Sequence, residues 1–475
     1  MNKSLVLLLL FVLGLKASAF GDVPADSVTV SVTETDNTSD LTDRFLGLSY
    51  ETSMLLPENG KYYFDPKDQA LIQTFQTLGI KSLRIGANAV DDPLIAVPQE
   101  KDLDVFFAFA RAAGVKVIYS FRLKNGNPAD SARLAGYIAA HDGDVLDCFA
   151  IGNEPDGYLK TYDAYFAAWK PHYDAILQAV PEAMFDGPCI NSKKNYVLAL
   201  AKAMSADRHL AMASDHYYFL GAGRKAEENL PPERARFLSD NLHQHYKDAY
   251  VRTGAVLAAE GVPYRMDEIN SYSGGGARNL SDTYASTLWA LDCTHWWAAH
   301  HILGMNYHTG TVKILGQTVP ANYAAFVSSP DGHGYDMRPQ AYALQAFSQG
   351  AHGRPLTASV EATTPLDFDA YAYRAHDGSL YVTLINKSYG DKAQPASVSL
   401  QLPAGAGTGP WQRMDLSQKD SDVAAKDGVT LGGSSIDTQG KWSGNWNTLS
   451  DVNSTSLTVV IAPASASIFH IPVDQ

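Results

Sequence analysis

Two glutamates stand where a chain could do acid–base and nucleophilic chemistry. The first follows an apolar run in Ile151-Gly152-Asn153-Glu154-Pro155-Asp156. Pro155 has no N–H to continue a strand ladder, so Glu154 falls where a strand runs out. The second lies in Tyr264-Arg265-Met266-Asp267-Glu268-Ile269-Asn270, ahead of a polar stretch and Gly274-Gly275-Gly276. Either segment alone is a weak signal. As a facing pair they suit glycoside cleavage, in which one carboxyl protonates the leaving oxygen. The other attacks the anomeric carbon across about 5–5.5 Å, or activates a water across a wider gap. Their mutual repulsion keeps a proton on the less stabilised partner. That role falls to Glu154, and Glu268 becomes the ionised nucleophile, with Arg84 and Tyr218 as donors able to hold its charge.

Such a pair needs a scaffold that presents two strand ends to one cleft. Short apolar runs alternate with helical patterns from about residue 41 to 352, the texture of a parallel sheet with crossover helices. Strands are expected at Leu46–Tyr50, Ser82–Ile85, Lys116–Ser120, Cys148–Gly152, Met184–Gly187 (the weakest), Ala211–Asp215, Tyr264–Asp267 and Leu303–Tyr307. Eight is the count of a (β/α)8 TIM barrel, whose chemistry sits at the strand C-terminal ends, and the fourth and seventh strands lie across it. From 353 to 475 the period changes to two, as in Leu380–Ile385 and Leu457–Ile461, which predicts a C-terminal β-sandwich domain. The alternating stretch 20–40, with Ser27-Val28-Thr29-Val30-Ser31-Val32, is expected to join that sandwich. The fold class is therefore α/β, a barrel with an appended β domain.

Residues 1–19 read as a signal peptide: Lys3, an apolar run to Leu15, then Ala17-Ser18-Ala19. A secreted or periplasmic protein follows, with no stable membrane association. A formal charge of −14 without a basic cluster excludes a nucleic-acid partner. Cys148, Cys189 and Cys293 lie far apart in apolar stretches and read as buried thiols. The histidines 295, 300, 301 and 308 lack a zinc spacing, so neither metal nor cofactor is expected. Trp289, Trp296 and Trp297 read as core. Sequons occur at Asn37, Asn279, Asn386 and Asn453.

Five motifs carry a resemblance: Phe45–Glu51, Leu83–Asn88, Ile151–Asp156, Ser214-Asp215-His216-Tyr217-Tyr218 and Asp267–Ser271. Together they resemble glycoside hydrolase family 79, the β-glucuronidases and heparanases, over nearly the whole chain. The resemblance implies a retaining mechanism, with Glu154 as acid/base and Glu268 as nucleophile. It also implies that Asn153 bonds the sugar 2-hydroxyl, that Glu51 and Asn88 hold the far hydroxyls, and that His216 and Tyr218 flank the nucleophile. Tyr307 would contact a uronate carboxylate, and Lys160 echoes a lysine near the leaving group. The chain departs from the family after the last strand, where His308-Thr309-Gly310-Thr311-Val312-Lys313 replaces a glycine- and aromatic-rich loop. There Lys313 can supply the cation for the carboxylate, or the pocket prefers a neutral sugar. Ala87 stands where relatives often carry glycine. The expected activity is that of a monomeric exo-acting β-glucuronidase removing terminal glucuronic acid, 4-O-methylated or not, from a glycan or glycoside. An endo-acting heparanase-like enzyme, a β-glycosidase of neutral sugars and an inactive glycan-binding barrel are the alternatives.

Overall fold

The computed structural model describes residues 26–473, apart from 36–38, 192–193, 315–316, 392, 404–406, 408–409 and 450–455. The expected leader 1–19 and the sequons at Asn37 and Asn453 lie outside the described residues. After strand β1 (Asp26–Thr33), eight parallel strands close a barrel: β2 (Leu46–Glu51), β3 (Ser82–Gly86), β4 (Lys116–Phe121), β5 (Leu146–Ile151), β6 (Phe185–Ile190), β7 (Leu210–Tyr218), β8 (Tyr264–Asn270) and β9 (Gly304–His308). Both faces of these strands are covered, so even the charged residues of β8, Arg265, Asp267 and Glu268, are buried. Pairing is thinnest between β5 and β6, where Phe149 opposite Phe185 is the register contact.

Local chemistry delimits the helices between strands. Helix Glu100–Ala113 opens with a reciprocal capping box between Gln99 and Asp102 and stops at Gly114, whose φ of 74° suits a residue without Cβ. Helix Pro128–Asp142 is capped by the Asn127 side chain, with proline at its first position. Helix Tyr284–Ala299 has no polar face; its residues are buried all round, Trp289 and Trp297 fully, because it lies between the barrel and the second domain. No helix among the described residues is long and apolar enough to cross a membrane. The three cysteines are buried free thiols.

The second domain is one ten-stranded sheet that curls over its own core of Val28, Val30, Val382, Leu384, Val398, Trp411, Phe469 and other apolar side chains. β1 lies inside this sheet, antiparallel to Arg354–Ala362 and parallel to Ala396–Gln401. A buried ionic cluster joins the domains. Lys387 Nζ, just beyond strand Leu380–Asn386, lies 2.6 Å from Asp240, 3.0 Å from Asp292 of helix Tyr284–Ala299 and 2.6 Å from Asp369 of the sheet. Tyr371 and His243 also bond Asp292, at 2.5 and 2.9 Å.

Candidate active site

The backbone at two strand ends aims the glutamates. Past β5, Gly152 and Glu154 both adopt left-handed conformations, at φ 83° and 43°, and Pro155 starts a short 3-10 turn. Glu154 N–H donates to Cys189 O at 2.8 Å, tying this turn to β6. On β8 a bulge does the aiming. Asp215 pairs with Met266 and His216 with Glu268, so Asp267 is an extra residue on that strand. The extra residue breaks the alternation of faces, and Asp267 and Glu268 both turn toward Arg84 of β3.

Arg84 is fully buried and organises the floor of the cleft. Its Nη1 donates to Glu268 Oε2 at 2.7 Å and to Ser49 Oγ at 3.1 Å, its Nη2 to Asn153 Oδ1 at 2.8 Å, and its Nε lies 3.4 Å from Asp267. Tyr218 donates to the other Glu268 oxygen at 2.6 Å. Burial opposes ionisation of Glu268, but the imidazoles of His308 and His216, the Arg84 charge and the Tyr218 hydroxyl outweigh it, holding the carboxyl well below the usual carboxylate range. His216 Nδ1 lies 2.9 Å from Glu154 Oε1, and its Nε2 lies 3.6 Å from Asp267. Burial opposes charge on this ring too, but Glu268 and Asp267 raise it to about 10. One oxygen of each glutamate and one His216 nitrogen lie within 4.8 Å of one another.

These groups open onto a cleft of about 360 Å3 lined by Glu51, Asn88, Glu154, Tyr218 and Glu268, as well as His308, Tyr323 and Asn191. Asn153 lies beneath it, donating to Asn88 Oδ1 at 3.4 Å. Tyr307 is corrected: its hydroxyl is buried against helix Tyr284–Ala299, 2.8 Å from Thr294 Oγ1. Alternation along β9 turns Tyr307 outward and His308 inward, so the histidine occupies the cleft. Lys313 lies in strand Thr311–Ile314 of a hairpin whose Thr311, Val312 and Thr318 line the cleft; its side chain is outside the described residues. Lys160 is exposed, bonds Gly157 O and does not line the cleft. Ala87 holds φ 52°, a conformation that favours glycine. Tyr323 and Asn191 lie in loops with no distinguishing motif, and sequence reasoning missed them. His308 was legible only through strand parity.

Glu51 accepts from Ala89 N–H at 2.7 Å and lies 3.9 Å from His308 Nε2. Burial, reinforced by Glu268 and Glu154, raises its carboxyl to about 7. The folded state therefore binds a proton more tightly than the unfolded chain, and this contribution to stability is lost as pH rises from about 4.5 to about 7. Glu51→Gln keeps the Ala89 acceptor and removes the titration. Relative to wild type, it is expected to gain on the order of 3 kcal/mol in urea unfolding between pH 4.5 and 8. An unchanged difference across that range would contradict it.

Potential ligand atoms for a cation converge at Glu154–His216–Glu268, Asp186–Cys189–Asp267 and His243–Asp292–Asp369. Protein cations already sit against all three: His216 with Arg84 at the first, Arg84 beside Asp267 at the second, Lys387 at the third.

The fold is that of barrel glycoside hydrolases carrying an appended β domain. A 4-O-α-L-rhamnosyl-β-D-glucuronidase of Fusarium oxysporum superposes over 93% of this chain and 99% of its own, with a TM-score of 0.70 at 17% identity. A family 51 arabinofuranosidase of Xanthomonas axonopodis pv. citri covers 94% and 100%, with a TM-score of 0.66 at 12% identity. In sequence, a β-glucuronidase of Aspergillus niger is 24% identical over 42% of this chain. The match spans 41% of that relative's length. No family profile matches the chain.

Proposed function

We propose that the chain is a retaining, exo-acting glycoside hydrolase of family 79 that removes terminal β-linked glucuronic acid as a monomer. The close approach of Glu154 and Glu268, within 4.8 Å, carries this reading, because retention needs contact with the anomeric carbon rather than room for a water. Glu268, held ionised by Arg84 and Tyr218, attacks that carbon. Glu154, oriented by His216 Nδ1 2.9 Å from its Oε1, protonates the leaving oxygen. Water then enters, gives its proton to Glu154 and releases the sugar from Glu268 with the original anomeric configuration. Asn153, fixed by Arg84, meets the 2-hydroxyl, while Glu51 and Asn88 meet the far hydroxyls.

The glucuronide specificities of the Aspergillus and Fusarium proteins support a uronate substrate. The hairpin packs on Gly275, where an added Cβ would come within 2.9 Å of Val312, and its place along one side of the cleft supports exo action. One observation favours a neutral sugar instead: among the described residues lining the cleft there is no Lys or Arg, and Glu51, Asp92, Glu154 and Glu268 are acidic. A panel of aryl β-glucuronide, β-glucoside and β-xyloside decides between them. We expect the glucuronide to have the highest kcat/KM by at least about tenfold, since one well-used polar contact is worth about 1–3 kcal/mol. Equal or better turnover of the glucoside would overturn the uronate assignment. Release of monosaccharide alone from a defined oligosaccharide is expected of exo action, and internal cuts would overturn it.

A further inference from the structure

The left-handed Glu154 backbone is a conformation that persists only where its surroundings hold it, at a cost on the order of 1 kcal/mol or more. Asp91, on the loop after β3, supplies that hold. It is 7% exposed and does not line the cleft. Its Oδ1 accepts from the Leu123 and Lys124 amides, at 2.8 and 2.9 Å, which anchors it on the loop after β4. Its Oδ2 accepts from Asn153 N–H at 3.0 Å and from the Tyr158 hydroxyl at 2.8 Å. Residues 153 and 158 bracket the turn that carries Glu154, so one carboxyl oxygen grips that turn at both ends. Arg122 fixes the loop itself, donating to the carbonyls of Val90, Asp92 and Ile95 at 2.7, 3.0 and 2.6 Å.

We infer that Asp91 is the positioning residue of the acid/base: it sets where the Glu154 carboxyl meets the leaving oxygen without touching substrate. The inference rests on the proposed role of Glu154. In Asp91→Asn one oxygen still serves the Leu123 and Lys124 amides. The new NH2 then faces Asn153 N–H, donor against donor, and the turn must shift.

The experiment measures kcat/KM for aryl glycosides of graded leaving-group acidity, for wild type, Asp91→Asn and Tyr158→Phe. A misplaced acid matters only when the leaving group needs protonation. Asp91→Asn is expected to lose about 100-fold on alkyl and methoxyphenyl glycosides but no more than about threefold on the dinitrophenyl glycoside, general acid catalysis being worth about 10²–10⁴. Added azide should accelerate its turnover of the dinitrophenyl substrate. Tyr158→Phe, which removes one hydroxyl, should show the same trend with a shallower slope, a loss of about tenfold on the alkyl and methoxyphenyl glycosides and almost none on the dinitrophenyl glycoside, and it tests the inference even if Asp91→Asn fails to fold. An equal loss across all leaving groups in an active protein, or none, would overturn the role of Asp91 alone. A wild type inert on every glycoside would overturn the carbohydrate reading and this role with it.

Discussion

Glu268→Gln is expected to lower kcat by about four orders of magnitude or more, as loss of a covalent nucleophile does elsewhere. The amide keeps the shape of the side chain and can still accept from Arg84 or Tyr218, at 2.7 and 2.6 Å in the native protein, so the loss reports on attack rather than on collapse of the floor. KM should change little. Azide offered to Glu268→Ala should restore turnover and yield a glycosyl azide of inverted configuration, because the small anion enters from the face the carboxylate has vacated. Activity within about tenfold of wild type would remove Glu268 from the mechanism, since that is less than a single oxyanion donor contributes.

The largest stability effect is expected far from the cleft, at Lys387→Met. Its ammonium lies among Asp240, Asp292 and Asp369, and its side chain is 1% exposed. Methionine fills the same volume but leaves Asp369 without its ammonium and His243 as the remaining cation beside Asp292, a change that costs about 3–5 kcal/mol. Urea titrations should show that loss, and it should be greater at pH 9 than at pH 6. Burial and Asp292 already hold the Asp369 carboxyl up to about 8, so at low pH a proton can stand in for the missing ammonium. A loss below about 1 kcal/mol, the value typical of exposed pairs, would contradict the burial of this cluster.

Periodicity and chain-terminating residues made much of the architecture legible. Each barrel strand overlaps the apolar run that predicts it, and Pro155 opens the 3-10 turn that follows β5, which itself ends at Ile151. Arg84 and Tyr218 were legible as candidate donors to Glu268, because a nucleophile must be kept charged; Arg84 sits in the middle of β3 and Tyr218 at the end of β7. What escaped sequence reasoning depends on one-residue geometry. Tyr307 and His308 are adjacent on β9, and only the parity of the strand sends one into the helix layer and the other into the cleft. The Asp267 bulge and the αL turn at Glu154 have no compositional mark, since neither needs glycine or proline at the shifted residue. Asp91 and Lys387 act through partners far away in sequence, with separations that no local pattern encodes.

The placement of β1 has a consequence for synthesis. Its partners, Arg354–Ala362 and Ala396–Gln401, leave the ribosome more than three hundred residues after it. Until then a strand with Val28, Val30 and Val32 on one face must wait unpaired while the barrel forms beside it. An open alternating strand is a template for other nascent chains. Yield from a cell should therefore depend on holding factors that shelter β1 during translation, and a chain stopped before residue 354 should aggregate through Val28, Val30 and Val32.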